Sequence, residues 1–157
     1  MLLFSGEHEC KMDPKNRLVL PAKIKAALLE ISGNQIVIGR GFEPCLILYP
    51  QAEYDKVAAK VGALNQFDPE QRKFQRNFLM RNTPAEFDGN GRFLINRRML
   101  EHARLGNAGR DILLIGAGNR LEIWQPEVFD SEFFAEETEF STLAQKFLGG
   151  QSEETAL

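Results

Sequence analysis

The sequence predicts an α+β fold made of two tandem copies of one β-α-β-β unit, joined by a helical connector and followed by C-terminal helices. Three observations lead there. The phrase DPKNRLVLP at residues 13–21 returns as DGNGRFLIN at 88–96. Shifting the chain on itself by 75 positions aligns Asp13 with Asp88, Arg17 with Arg92, Gly41 with Gly116 and Leu46 with Leu121 without a gap. Conservative matches fill that register: Leu18, Val19 and Leu20 over Phe93, Leu94 and Ile95, Ile24 over Met99, Leu48 over Ile123, Tyr49 over Trp124. One copy is also too small to bury a core by itself, so the two are expected to complete each other about a pseudo-twofold axis.

Each unit opens with a strand, around His8 to Met12 in the first and Thr83 to Phe87 in the second. A turn of Asp, Pro, Asn and Gly follows, residues that bond back to their own backbone or accept positive φ. A short strand, Leu18 to Leu20 or Phe93 to Ile95, then leads into a helix starting at Pro21 or near Asn96. Two more strands, QIVIG with CLILY and DILLIG with RLEIW, close the units. These readings place the units at 7–53 and 82–125. Residues 54–81 read as a helical connector, with Asp68 as cap, Pro69 at the first helical position, and Phe74, Phe78 and Leu79 as an apolar stripe. Residues 126–148 read as an acidic helical segment whose Phe129, Phe133, Phe134 and Phe140 suggest docking on this subunit or a neighbour, and 149–157 as a flexible end.

Composition points away from a membrane or secreted protein. Gly6, Glu7 and His8 interrupt the first ten residues before an apolar region develops, and no apolar run reaches the roughly 20 residues of a membrane span, so a cytoplasmic location is expected. Cys10 and Cys45 lie far apart and outside any Cys-x-x-Cys pair, and His8 beside Cys10 lacks further ligands, so no disulfide, metal or cofactor is expected. The formal charge of −3 conceals an asymmetry: residues 11–110 carry 17 Lys or Arg against 10 Asp or Glu, while the ends carry 2 against 12. A basic body with an acidic tail suits a polyanionic partner on one face.

The doubled phrase supplies the chemistry. Asp13 and Arg17, or Asp88 and Arg92, stand at the two ends of one hairpin tip. The carboxylate can accept turn amide hydrogens and also hold the guanidinium, which aims the Arg before anything binds. An aimed, five-donor plane suits phosphates and the O6 and N7 acceptors of guanine. Lys15 adds a charge to the first tip, where Asn16 takes the position that needs positive φ, and Asn90 stands in the place of that Lys in the second. Arg97 and Arg98 open the second helix at the positive end of its dipole, a placement an anionic partner would relieve, and Lys23 and Lys25 lie near the corresponding place in the first. A rival reading starts from ILLIGAGNRLEIW, whose Gly-x-Gly resembles a dinucleotide loop. It lacks the third Gly, and Arg120 to Trp124 reads as a strand where a helix is required. No Ser/His/Asp or Cys/His constellation is recognisable, so no enzyme is expected.

With DPKNRLVLP, PCLILYP, RKFQRNFL, FDGNGRFLI and LEIW in this order, residues 1 to about 147 resemble the MraZ family of bacterial transcriptional regulators. The resemblance implies two swapped-hairpin units of the SpoVT/AbrB kind in one double-psi-like barrel, and a nucleoid-associated protein assembling into a ring-shaped homo-oligomer. Its partner would be double-stranded promoter DNA with direct repeats, ahead of the division and cell-wall operon containing its own gene, which it would repress. The family's DNA-contacting tips fall on Asp13, Lys15, Arg17, Asp88 and Arg92, with Arg97 and Arg98 a further addition from the reading above. Where the family has Gly before its first Arg, this chain has Asn16. The same hairpin fold also serves antitoxin-like partners of a second polypeptide, which is the competing expectation.

Overall fold

Alternation of side chains shapes the first hairpin. In the computed structural model, which describes residues 3–106 and 111–149, β1 (Glu7–Met12) pairs antiparallel with β2 (Arg17–Val19). Cys10, Met12 and Leu18 point into the core, while Lys11 and Val19 face out. Pro21 precedes α1 (Ala22–Ser32), which lodges Ile24 and Leu28 in the core and stops at Gly33 with a φ of 63°. β3 (Gln35–Arg40) and β4 (Leu46–Pro50) complete the first copy.

Two helices connect the copies. α2 (Gln51–Gly62) is followed by α3 (Pro69–Arg81), where the Asp68 carboxylate accepts from the Gln71 amide at 3.4 Å. The expected apolar stripe of α3 is only partly covered: Phe78 stacks on Tyr54, but Phe74 and Leu79 remain exposed and the helix buries no residue fully. The second copy runs through β5 (Asn82–Glu86), β6 (Arg92–Leu94), α4 (Arg97–His102), β7 (Asp111–Gly116) and β8 (Leu121–Trp124). Asn96 caps α4 by accepting from the Met99 amide at 3.0 Å.

The eight strands form one antiparallel sheet in the order β5-β3-β4-β8-β7-β1-β2-β6. Its end strands β5 and β6 come into contact, so the sheet nearly closes into a barrel. The opening strand of each copy is exchanged: β1 pairs with β7 of the second copy, and β5 with β3 of the first. The copies also meet along β2–β6 and β4–β8, where Leu18 lies opposite Phe93 and Ile47 opposite Glu122. Each of these residues faces its own counterpart 75 positions away, as a twofold axis through the ladder requires. The interior is shared, with Leu18, Leu28, Ile36, Leu46, Phe93, Ile112 and Leu121 in a single cluster.

The gap-free 75-residue register needs one correction. Ile38 pairs with Leu48, whose counterpart Ile123 pairs with Leu114, so Ile38 corresponds to Leu114, 76 positions on. A shift of 75 would equate buried Ile38 with the half-exposed Leu113, and a one-residue slip turns every side chain of a strand to the opposite face. The second copy therefore carries one extra residue before β7 and one fewer between β7 and β8. Gly41, whose amide donates to the Cys45 carbonyl, is matched by Ala117, whose amide donates to Arg120, and not by Gly116. Gly116 has a separate reason to be Gly: the Ser5 backbone lies where its Cβ would stand.

The chain divides into two compact units, Met1–Gln125 and Pro126–Leu157. The second contains α5 (Pro126–Ala144) and a π-helical turn, Gln145–Gly149. Beyond Gly149 the flexible end expected from sequence lies outside the described residues.

Phe93 sits at the centre of the β2–β6 ladder and is fully buried. Phe93→Ala is expected to lower unfolding free energy by about 3–5 kcal/mol in denaturant titration. Phe67→Ala, at a site 83% exposed, should stay within about 0.5 kcal/mol of the parent.

Candidate nucleic-acid interface

Both hairpin tips are built by the same set of bonds. The Asn16 amide donates to the Asp13 carbonyl at 3.1 Å, closing a turn with Pro14 in its second place. Asn16 then takes a φ of 61°, and Arg17 resumes the strand with its amide on Asp13 Oδ1 at 3.0 Å. Lys15 donates its amide to the same oxygen at 2.9 Å. In the second tip the Gly91 amide donates to the Asp88 carbonyl at 2.9 Å, Gly91 has a φ of 75°, and Asn90 and Arg92 donate their amides to Asp88 Oδ1 at 2.9 and 3.0 Å. Asn and Gly here occupy equivalent left-handed positions, which Asn tolerates better than most side chains.

The remaining carboxylate oxygen holds the Arg. Arg17 Nε donates to Asp13 Oδ2 at 2.7 Å, and Arg92 Nε to Asp88 Oδ2 at 3.1 Å. Arg92 also reaches across β2, its Nη1 lying 3.3 Å from Asp13 Oδ2, so one carboxylate joins the two tips. The two Arg side chains are 29% and 23% exposed, half-buried at the surface and not sealed in the core. Partial burial works to raise the Asp13 carboxyl, but hydrogen bonds from Arg17 and Lys15 outweigh it and leave its pKa below the ordinary value. Asp88 is lowered chiefly by the Arg92 amide. Both are carboxylates at any physiological pH.

Three features of this face were not assigned from sequence. Lys25, on α1 of the first copy, lies against Gly91 of the second tip, where a Cβ would collide with its ammonium end. The tip without its own Lys therefore acquires a cation from the other copy, a proximity that no local spacing encodes. Val19 and Leu94 are the others: Val19 is opposite Arg92 and Leu94 opposite Arg17, both exposed on the side of the ladder that carries the two Arg. Strand alternation in the triplets Arg17–Val19 and Arg92–Leu94 could have found them. Lys15, Asn16 and Asn90 are exposed at the tips, as expected for turn ends.

Arg97 and Arg98 are not drawn into this network. Arg97 Nε is 3.0 Å from Glu101 Oε1, an exposed pair one helical turn apart, and Arg98 is exposed. Glu101 thus offers Arg97 an anion within its own helix. Away from the tips, burial raises the Cys10 thiol to about 12 and pushes Cys45 up as well, which keeps both protonated and poorly nucleophilic.

Comparison with known proteins places this geometry in context. The family described as "MraZ protein, putative antitoxin-like" matches the chain twice, at residues 3–77 and 78–148. A "Transcriptional regulator MraZ" from Cytophaga hutchinsonii is 44% identical over 154 residues, covering 98% of this chain and 100% of that protein. Proteins of the same name from Hydrogenovibrio crunogenus and Heliobacterium modesticaldum are 35% and 37% identical, covering 83% and 80% of this chain and 85% and 82% of their own lengths.

Because both folded-state carboxyls lie below their ordinary value of 3.8, the tips' contribution to stability should be constant above that pH and lost as pH falls below it. Acid titration of unfolding midpoints, parent against Asp13→Asn, checks this. Gly91→Ala should cost about 1–2 kcal/mol through its left-handed φ, whereas Asn16→Gly should not destabilise, as denaturant unfolding would register.

Proposed function

The chain belongs to the MraZ family, and from that premise we propose that it is a transcriptional regulator that binds double-stranded DNA through the paired hairpin tips. The observation that carries this reading is the Asp13 carboxylate, which holds Arg17 and Arg92 together and so aims two guanidiniums at one partner. Arg17 and Arg92 read guanine edges or clamp phosphates, Lys15 and Lys25 add phosphate contacts, and Asp13, Asn16, Asp88 and Asn90 keep the tips in shape. Val19 and Leu94 offer apolar contact of the kind a thymine methyl accepts. Arg97 and Arg98 contribute at most long-range attraction to the polyanion.

One pair of tips makes few contacts, and each good bidentate Arg is worth about 1–3 kcal/mol of discrimination. A ring-shaped homo-oligomer engaging successive direct repeats would multiply these into useful avidity. The expected target is the promoter of the operon containing the protein's own gene, in the division and cell-wall cluster, with repression as the outcome and the nucleoid as the place of action. A second reading follows from the antitoxin-like description of the family: the same fold would then serve a protein partner. A stoichiometric second polypeptide in purified material would favour it.

Fluorescence anisotropy with a labelled fragment of the gene's upstream region tests the first reading. Arg17→Ala and Arg92→Ala should each weaken binding roughly tenfold or more, and each lost cation should flatten the salt dependence by about one counterion. Three repeats should bind far more tightly than one. Binding no better than to shuffled DNA would sink the proposal.

A further inference from the structure

Away from the tips, a cavity of about 410 Å³ opens between the β3–β4 hairpin and α3, lined by Arg40, Phe42, Tyr49, Phe74, Phe78 and Arg81 among others. Its walls are mainly apolar, and Phe42 stands at its edge 77% exposed. Three cations, Arg40, Lys73 and Arg81, share it with a single acid, Glu70. Arg81 Nη2 donates to the Gly41 carbonyl at 3.1 Å, but its Nε is buried with no partner, and Arg40 is close enough to act on it as a like charge. Glu70 makes no ion pair with either guanidinium, and among the described residues no carboxylate bridges Arg40 or Arg81. Arg40 and Arg81 are therefore left without a bridging carboxylate, and the exposed Phe side chains without an apolar cover.

The chain itself carries a segment with both. Between Pro126 and Ala144, α5 has Glu127, Asp130, Glu132, Glu136, Glu137 and Glu139 and no Lys or Arg. Phe134 and Phe140 on it are 76% and 75% exposed. Glu137 stands three residues from each of them, within one helical turn. One chain thus displays two apolar surfaces of opposite charge.

We propose that α5 of a second copy of this chain seats in the Arg40/Arg81 cavity, with Glu137 facing the two guanidiniums and an exposed Phe covering Phe42 and Phe74. The contact is heterologous, a different surface on each copy, so it propagates from subunit to subunit and closes where the rotations complete a turn. This deepens the self-association proposed above and rests on it. It also gives the Phe-rich acidic helix a role that DNA binding does not use.

Sedimentation of the full-length chain without DNA tests the interface, with circular dichroism confirming that each variant is folded. Arg40→Glu and Glu137→Lys are each expected to raise the dissociation constant of the assembly by about tenfold or more, and Phe140→Ala to weaken it similarly. The doubly reversed chain, Arg40→Glu with Glu137→Lys, should recover to within about threefold of the parent, because the charges face each other again. Assembly indifferent to the single changes would overturn the inference, as would a double variant as weak as either single. An oligomer that ignores these changes removes this interface and leaves the ring standing, whereas a monomeric parent removes both. Recognition of DNA by the tips is judged separately through Arg17→Ala.

Discussion

The β2–β6 ladder is three residue pairs long, and both the core and the tips depend on it. Its inner face holds Leu18 against Phe93, two fully buried side chains from different copies, so neither half can bury its share of the interior without the other. The outer face of the same residues carries Arg17, Val19, Arg92 and Leu94. Strand alternation therefore couples stability on one side to a charged surface on the other. A shift of this ladder by one residue would bury the two Arg and expose the two core side chains, which fixes the register strongly.

Within that frame the Asp residues solve a problem of entropy. A free surface Arg samples many rotamers and loses them on binding. Here Asp13 and Asp88 each spend one oxygen on turn amides and the other on the guanidinium. The arrangement sets two acids among Lys15, Arg17, Lys25 and Arg92, which lowers the local positive charge. Orientation is gained at some cost in electrostatic attraction, a trade that suits recognition of particular bases better than general affinity for polyanions.

Much of this was legible in the chain. The repeated Asp-x-x-x-Arg phrase located both tips, and the Asx-type turn and the positive φ at Asn16 followed from the chemistry of their residues. What stayed hidden came from distance. Lys25 reaches the second tip only because the copies interlock, and Arg92 reaches Asp13 across an intervening strand. The match of Gly41 with Gly116 was a coincidence of spacing that the hydrogen bonds of the two loops separate. Arg97 was singled out by a dipole argument that considered only an outside anion, and Glu101 four residues on is a second anion within its reach.

The same logic bears on the acidic end of the chain. If a single subunit offers a modest local excess of positive charge at its tips, tight recognition needs several subunits held at fixed spacing. On the proposed contact between the Arg40/Arg81 cavity and the acidic, Phe-bearing α5, the chain would set that spacing by itself, without DNA as template. The net charge of −3 then loses its apparent conflict with a polyanionic partner. Acidic residues concentrated in α5 are the ones an intersubunit contact would neutralise, which leaves the basic body to face the partner.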